Sequence, residues 1–383
     1  MSAPIRIRAG KLVDGTGAEP AFDVVITVEG DRIVSVAPAA GSTEPVDFDF
    51  SGSTVIPGLI DCHDHLDLDV GDEEAQSKEP TSYLSMRAVA NAKTVVEAGI
   101  TTMRYLGAAN GVDVEMKRAI DAGEIPGPRL FIAGYPIMRT GGHAHFIGRE
   151  ADGVDDVRKA VREQLKVGAD VIKIMASGGM STKGSSPVVQ EFTDAEIAAA
   201  IDEAHRAGRK IAAHAHGGPG VTVAIENGID TVEHGVLLTQ EQVELLAKSD
   251  AILVSTEAVA RAVAAMPGMP DHYKAKIEGT IAASSQMLKW ARAAGVTVAV
   301  GCDTVHGAMD VEMAALVEAG WTPIEAIRSM TLNGAKVLDR EAELGSVEAG
   351  KIADLVVLAE DPTADTAALR SVQRVMKAGD WVL

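Results

Sequence analysis

The chain has 383 residues, 46% hydrophobic but only 3% aromatic, with 38 glycines, enough for a sizeable core and more than one domain. Fifty-five acids against 35 Lys and Arg give a formal charge of −20, which argues against a nucleic-acid backbone or an anionic membrane as partner. Two cysteines, Cys62 and Cys302, are too few for a disulfide scaffold.

At the N-terminus, MSAPIRIRAGKLVDG lacks the apolar core of a signal peptide, and no run of about 18 apolar residues follows that could span a bilayer. A soluble cytoplasmic protein is expected. Residues 4 to 56 predict short strands, IRIRAG, FDVVITVEG, DRIVSVAPA, FDFSG and STVIPG, punctuated by Gly and Asp as turns are. From residue 55 onward, strands that look buried alternate with helices, the pattern of βα units. The predicted strands are VIPGLIDC, TTMRYL, PRLFIAGY, DVIKIM, RKIAAH, DTVEH, AILVS and TVAVG. Two helix starts stand out: Thr193 with Glu196 three residues on, and Thr322 followed by Pro323 and Glu325. Near the C-terminus the strand texture returns in LGSVEAG, KIADLVVLAE and SVQRVMKAGDWVL.

Eight units in about 280 residues fit a closed (β/α)8 barrel over 55–339. The ends, 1–54 and 340–383, are expected to meet in one small composite β-sandwich domain. An open doubly wound sheet is the competing fold; eight successive units and the lack of a GxGxxG sequence count against it.

In such a barrel the chemistry sits at the C-terminal ends of the strands. The first predicted strand ends in His63 and His65, which face one side of an extended segment. Lys173 interrupts the apolar strand DVIKIM. The fifth strand ends in His214 and His216, the sixth in His234, and the eighth in Asp303. A single histidine at a strand end is usually a hydrogen-bonded polar residue; two on one face behind an acid cluster suit a divalent cation. Lys173 could be a core lysine whose stem snorkels outward. Beside a cation, however, its ammonium would be repelled.

The segments PGLIDCHDH, GITTMRYLG, GGHAH, GADVIKIMASGG, AAHAHG, DTVEHG and GCDT, together with LVDGTG and ELGSVEAGKIADLVVL, cover nearly the whole chain. Their order resembles the amidohydrolase superfamily, in particular the imidazolonepropionase-related branch with bacterial metal-dependent prolidases and Xaa-Lys or Xaa-Arg carboxypeptidases. The resemblance implies two divalent metal ions, zinc foremost. His63 and His65 would hold the more buried ion. Lys173, carboxylated on its amine, would bridge to a second ion held by His214 and His234. Asp303 would touch the buried ion and carry a proton, and His143 would contact substrate beside the second ion.

The activity so implied is hydrolysis of a peptide or N-acyl amino acid amide next to a free carboxylate, by attack of a metal-bridging hydroxide. The substrate is a small or dipeptide-like molecule and the protein a homo-oligomer. Donors expected near the substrate are Tyr83, Arg87, Tyr105, Arg139, Arg149, His216 and His306. The acids Asp67, Asp69, Asp72, Glu73 and Glu74 form either a cation-preferring or a merely solvated loop. Alternative activities are hydrolysis of a carbamate, phenylurea or other amide-linked xenobiotic, and cyclic amidase or deaminase chemistry. Lys173 and the absence of HxxE after the fifth strand count against a mononuclear deaminase. A non-catalytic metal-binding protein would carry the same ligands without a usable water.

Overall fold

A computed structural model gives the fold; it describes residues 3–40 and 45–383, so Met1 and Ser2 of the N-terminal stretch lie outside the described residues. In chain order the first strands are β1 (Ile5–Leu12), β2 (Ala21–Glu29), β3 (Arg32–Pro38), β4 (Phe48–Pro57), β5 (Leu59–Asp64), β6 (Ile100–Tyr105), β7 (Arg129–Ile132), β8 (Ile137–Met138) and β9 (Arg149–Glu150). They are followed by β10 (Val171–Met175), β11 (Lys210–Ala215), β12 (Thr231–His234), β13 (Ile252–Ser255), β14 (Val298–Val300), β15 (Leu355–Leu358), β16 (Val372–Lys377) and β17 (Asp380–Trp381). The chain divides into two compact units: Met1–Asp61 with Lys93–Thr102 and Gly307–Leu383, and Cys62–Ala92 with Met103–His306.

The first unit carries one mixed sheet drawn from both chain ends, in the order β17-β16-β15-β4-β1-β2-β3. β1 runs antiparallel to β2 and parallel to β4, and β15 is antiparallel to β4. Alternate side chains, such as Ile7 and Ala9 or Val24, Ile26 and Val28, turn into a shared apolar core with Val55, Leu355 and Val357. The segments FDFSG and STVIPG form a single strand, β4, whose Val55, Ile56 and Pro57 pair with Val357, Val356 and Leu355.

The expected barrel strand VIPGLIDC is therefore split, with the barrel portion starting at Leu59. Pro57 has no N–H to continue the ladder, and the Gly58 N–H goes to Asp354 O at 2.8 Å. LGSVEAG is not a strand; Gly345 and Gly350 adopt positive φ (83° and 93°) and turn the chain on either side of Val347.

The remaining strands make an α/β fold with a parallel, barrel-like core. One sheet contains β5, β6 and β7; the other runs β14-β13-β12-β11-β10-β8-β9. Two backbone hydrogen bonds continue the ring where the sheets meet, Asp303 N to His63 O (2.8 Å) and Asp170 N to Ile132 O (2.8 Å), while Leu106 N to Asp64 O (3.1 Å) and Ala133 N to Tyr105 O (3.0 Å) extend the pairing within the three-stranded sheet. Every residue of β5, β6, β10, β12 and β14 is buried, so these strands show no alternation of buried and exposed positions. Any charged side chain on these strands must therefore have a partner or a task. Both expected capping boxes form, at Thr193 with Glu196 and at Thr322 with Glu325. Cys62 and Cys302 are buried and are not joined in a disulfide. No helix among the described residues is long and apolar enough to cross a membrane.

Candidate metal centre

The residues expected at the strand ends converge. His63 is the last but one residue of β5 and His65 follows the strand, with ring centroids 5.4 Å apart. Lys173 lies mid-way along β10, His214 near the end of β11, His216 just beyond it, and His234 ends β12. Asp303 follows β14, and His143 enters from the segment after β8. All eight line one cavity. Asp303 Oδ1 is 3.8 Å from His63 Nε2 and 3.7 Å from His65 Nε2, while Oδ2 is 3.7 Å from His234 Nδ1. His214 packs 4.7 Å from His234 and 4.3 Å from His143, centroid to centroid.

Hydrogen bonds behind the rings fix which nitrogen carries a proton. His63 Nδ1 donates to Glu233 Oε2 at 2.8 Å and His65 Nδ1 to Gly107 O at 2.8 Å, so that both Nε2 atoms carry a lone pair and face Asp303. His234 Nδ1 lies 2.7 Å from Thr256 Oγ1, a hydroxyl able to donate or accept, and His214 Nε2 donates to Gly178 O at 3.2 Å, which leaves His214 Nδ1 as its open position. Arg104 donates to both oxygens of Glu233 (2.7 and 2.9 Å), to Cys62 O (2.6 Å) and to Thr231 Oγ1 (3.0 Å). Glu233 and Arg104 were not anticipated from sequence, where each stands as one charged residue in an apolar strand. The available cue was a charged residue inside each of TTMRYL and DTVEH, since a guanidinium in a buried strand calls for an anion; in the fold Arg104 is only 1% exposed.

Burial sets the protonation of the rings. It holds His63, His143, His214 and His234 well below the ordinary value of 6.5, and neighbouring imidazoles and Lys173 depress them further. Burial likewise brings His65 to about 4 and His216 to about 3. All six are neutral, the form that offers a lone pair. Burial also lowers Lys173, although Glu233 opposes it, and raises Asp303, with Glu73 adding to that effect.

Lys173 is 1% exposed, so its stem cannot snorkel to water, and its Nζ has no hydrogen-bond partner. Neutral imidazoles, a carboxylate disfavoured as an isolated charge, and an unpartnered buried amine form a donor set that fits a divalent cation. His63, His65 and Asp303 offer ligand atoms all within 4.8 Å of one another.

Two glycines permit this crowding. A Cβ on Gly301 would stand 2.6 Å from the backbone nitrogen of His63, and one on Gly179 would stand 2.3 Å from the His143 ring. Asp303 and Thr304 hold left-handed backbone (φ 43° and 70°), as does His234 (φ 70°), at a cost of about 1–2 kcal/mol each for residues with a Cβ.

Most of the donors expected near substrate lie elsewhere. Tyr83 is 53% exposed beneath the Arg87 guanidinium, and Arg87 is bound to Glu79 (2.5 Å) and Asp69 (3.2 Å). Arg139 pairs with Glu191 (2.6 Å), and Arg149 with Asp156 and Glu163. Tyr105 is buried and donates to Asp67 Oδ1 at 2.5 Å. His306 is held by Asp64 and Leu68 O. None of these lines the cavity, and of that set only His216 does.

The physical reason is the acid surplus, which gives each of these arginines a nearer carboxylate. The acid-rich loop after β5 is mostly structural: Asp67 accepts from Tyr105 and the Ala109 N–H, and Asp72 caps the helix Glu73–Ser77. Of the acids Asp67, Asp69, Asp72, Glu73 and Glu74, Glu73 alone lines the cavity, beside Ser181 and Tyr273; burial pushes its carboxyl up to about 7.

The model of the amidohydrolase family matches residues 54–382. The chain is 29% identical to the ochratoxinase of Aspergillus niger over 97% of its own length and 85% of that protein's. It is 25% identical to the imidazolonepropionase of Micrococcus luteus, covering 88% of this chain and 87% of that one. Among solved structures, a Xaa-Pro dipeptidase with methionine bound in its active site is similar with a TM-score of 0.91, at 30% identity over 99% of each chain.

Proposed function

The chain belongs to the amidohydrolase family, and from that premise we propose that it hydrolyses the amide bond of a dipeptide-like or N-acyl amino acid substrate next to a free carboxylate. The observation that carries this reading is the convergence of six buried neutral imidazoles, Asp303 and the unpartnered Lys173 amine on one cavity. His63, His65 and Asp303 would hold one divalent cation. Lys173, carboxylated at Nζ, together with His214 and His234 would hold a second, zinc being well suited to imidazole and carboxylate. Such cations, when bound, acidify water and polarise a carbonyl.

The chain's own groups do the rest. Asp303 accepts a proton from the attacking water and returns it to the leaving nitrogen. The Thr182 hydroxyl accepts from the Ala144 N–H (3.0 Å) and donates to His143 Nδ1 (2.8 Å), which leaves His143 Nε2–H to donate to the carbonyl oxygen as charge builds there. Met180, Val236, Val259 and Ile277 supply an apolar wall that excludes water from the reacting atoms. His216 Nδ1 and Thr304 Oγ1, both buried on the wall without hydrogen-bond partners, are the donors we assign to the substrate carboxylate. Glu73 sets a preference for a cationic substrate side chain.

The test uses the purified full chain loaded with zinc and assayed on N-acyl amino acids and dipeptides, with free and amidated carboxylates and with neutral, Lys or Arg side chains. The reading expects chelator-sensitive amide cleavage, a large fall in kcat/KM when the carboxylate is blocked, and a smaller advantage of Lys and Arg substrates in Glu73→Gln. Cleavage that is indifferent to the carboxylate overturns its recognition, and no amide cleavage at any metal loading overturns the activity.

A further inference from the structure

Asp64 stands between His63 and His65, and its side chain leaves the extended segment on the face opposite theirs. It is wholly buried, and it does not line the cavity. Its Oδ1 accepts from the backbone N–H of His65 (2.7 Å) and of Thr304 (3.0 Å). The same carboxylate lies 3.0 Å from His306 Nδ1, and His306 Nε2 donates to Leu68 O at 2.9 Å, with Asp69 3.5 Å away. Acceptors on both ring nitrogens require both to carry protons, so His306 is an imidazolium. Burial alone would discharge it, but Asp64, Asp69 and the Leu68 carbonyl outweigh that and raise its pKa to about 10.

This buried ion pair meets the segment that carries Asp303 where its backbone is least comfortable. Asp303 and Thr304 are both left-handed without being glycine. Asp303 N–H is held by His63 O (2.8 Å), Thr304 N–H by Asp64, and the turn closes at His306, tied to the same carboxylate. One carboxylate thus links the backbone of His65, the backbone beside Asp303 and the ring that ends the turn. We propose that Asp64 and His306 are positioning residues that hold Asp303 in register with the His63–His65 pair, and that neither touches substrate. The inference rests on the function proposed above for its catalytic consequence, though not for its effect on cation binding. With the pair removed, the left-handed turn relaxes and the Asp303 carboxylate leaves its place 3.7–3.8 Å from three imidazoles.

The test compares His306→Ala, His306→Asn and Asp64→Asn with the parent. Asn at 306 can keep the donor to Asp64, and Asn at 64 keeps the acceptor for the His65 and Thr304 N–H groups. Zinc is titrated into each full-length chain after chelation, and kcat and KM are measured on the best amide substrate. We expect His306→Ala to weaken zinc binding at the His63–His65–Asp303 group and lower kcat by about 10- to 100-fold, with KM close to the parent's and both Asn variants intermediate. A merely structural staple would leave zinc affinity and kcat per folded chain unchanged, and that result overturns the proposal. A rise in KM with kcat intact also overturns it, because it would make His306 a substrate contact. If His306→Ala does not fold, the two Asn variants decide between the same outcomes. If the parent cleaves no amide, the proposed function falls while the zinc titration still decides the role of the pair.

Discussion

Because His63 Nδ1 donates to Glu233 and Arg104 holds Glu233 by two further hydrogen bonds, the lone pair on His63 Nε2 depends on a carboxylate that never meets the cavity. Glu233→Gln leaves Arg104 a buried cation facing a neutral amide. It should weaken zinc binding about 10- to 100-fold and lower stability by about 3 kcal/mol, read by zinc titration and urea unfolding of the same preparation. Lys173→Ala should lose most turnover while keeping the fold, and short carboxylic acids should restore part of it if they can stand in for the bridging group proposed for Lys173; near-normal unaided turnover would make Lys173 an ordinary core lysine. His63, His65, His214, His234 and Asp303 could be picked out from sequence because they fall together at the C-terminal strand ends, where a barrel keeps its chemistry, within segments ordered as in the amidohydrolase superfamily. Glu233 and Arg104 could not be paired, because their partnership depends on which strands become neighbours around the ring. The arginines expected at the substrate failed for the same reason, their nearer acids being set by tertiary approach.

The segments around the cavity show where one atom too many would matter. Gly179→Ala would drive its Cβ into the His143 ring at 2.3 Å, and a ring can move where a backbone cannot. Its expected effect is a loss of about 100-fold in kcat, as for removal of one oxyanion donor, with Tm near the parent's. Gly301→Ala instead meets His63 backbone at 2.6–2.8 Å and should lower Tm as well as zinc affinity. The strands β10 to β14 and the two capping boxes were readable because local chemistry dictates them. The division of VIPGLIDC at Pro57 was not, since β4 ends in pairing with β15, a partner some 300 residues away in the chain. LGSVEAG misled because Gly345 and Gly350 turn a segment whose composition resembles a strand.

Taken together, the molecule spends its acid surplus in two ways: pairing its arginines, and burying a few carboxylates that order the cavity. The Asp64–His306 pair makes this visible in stability. His306 has its pKa raised in the folded chain from 6.5 to about 10, so its contribution is full below pH 6.5 and is lost as pH rises through about 10. The gap in unfolding free energy between the parent and His306→Asn should therefore narrow from pH 6 to pH 10 in urea titrations; a constant gap would mean that the ring is not charged. The claim that joins fold, site and activity is that two cations, one held by the His63–His65–Asp303 group and one by a bridging Lys173 with His214 and His234, support amide hydrolysis. It is tested most directly by stripping the chain with chelator, restoring zinc in steps, and measuring bound zinc by elemental analysis alongside the rate of amide cleavage in each sample. The account predicts no cleavage without metal and a rate that reaches its plateau only when two ions are bound per chain; a full rate with one ion or none would contradict it.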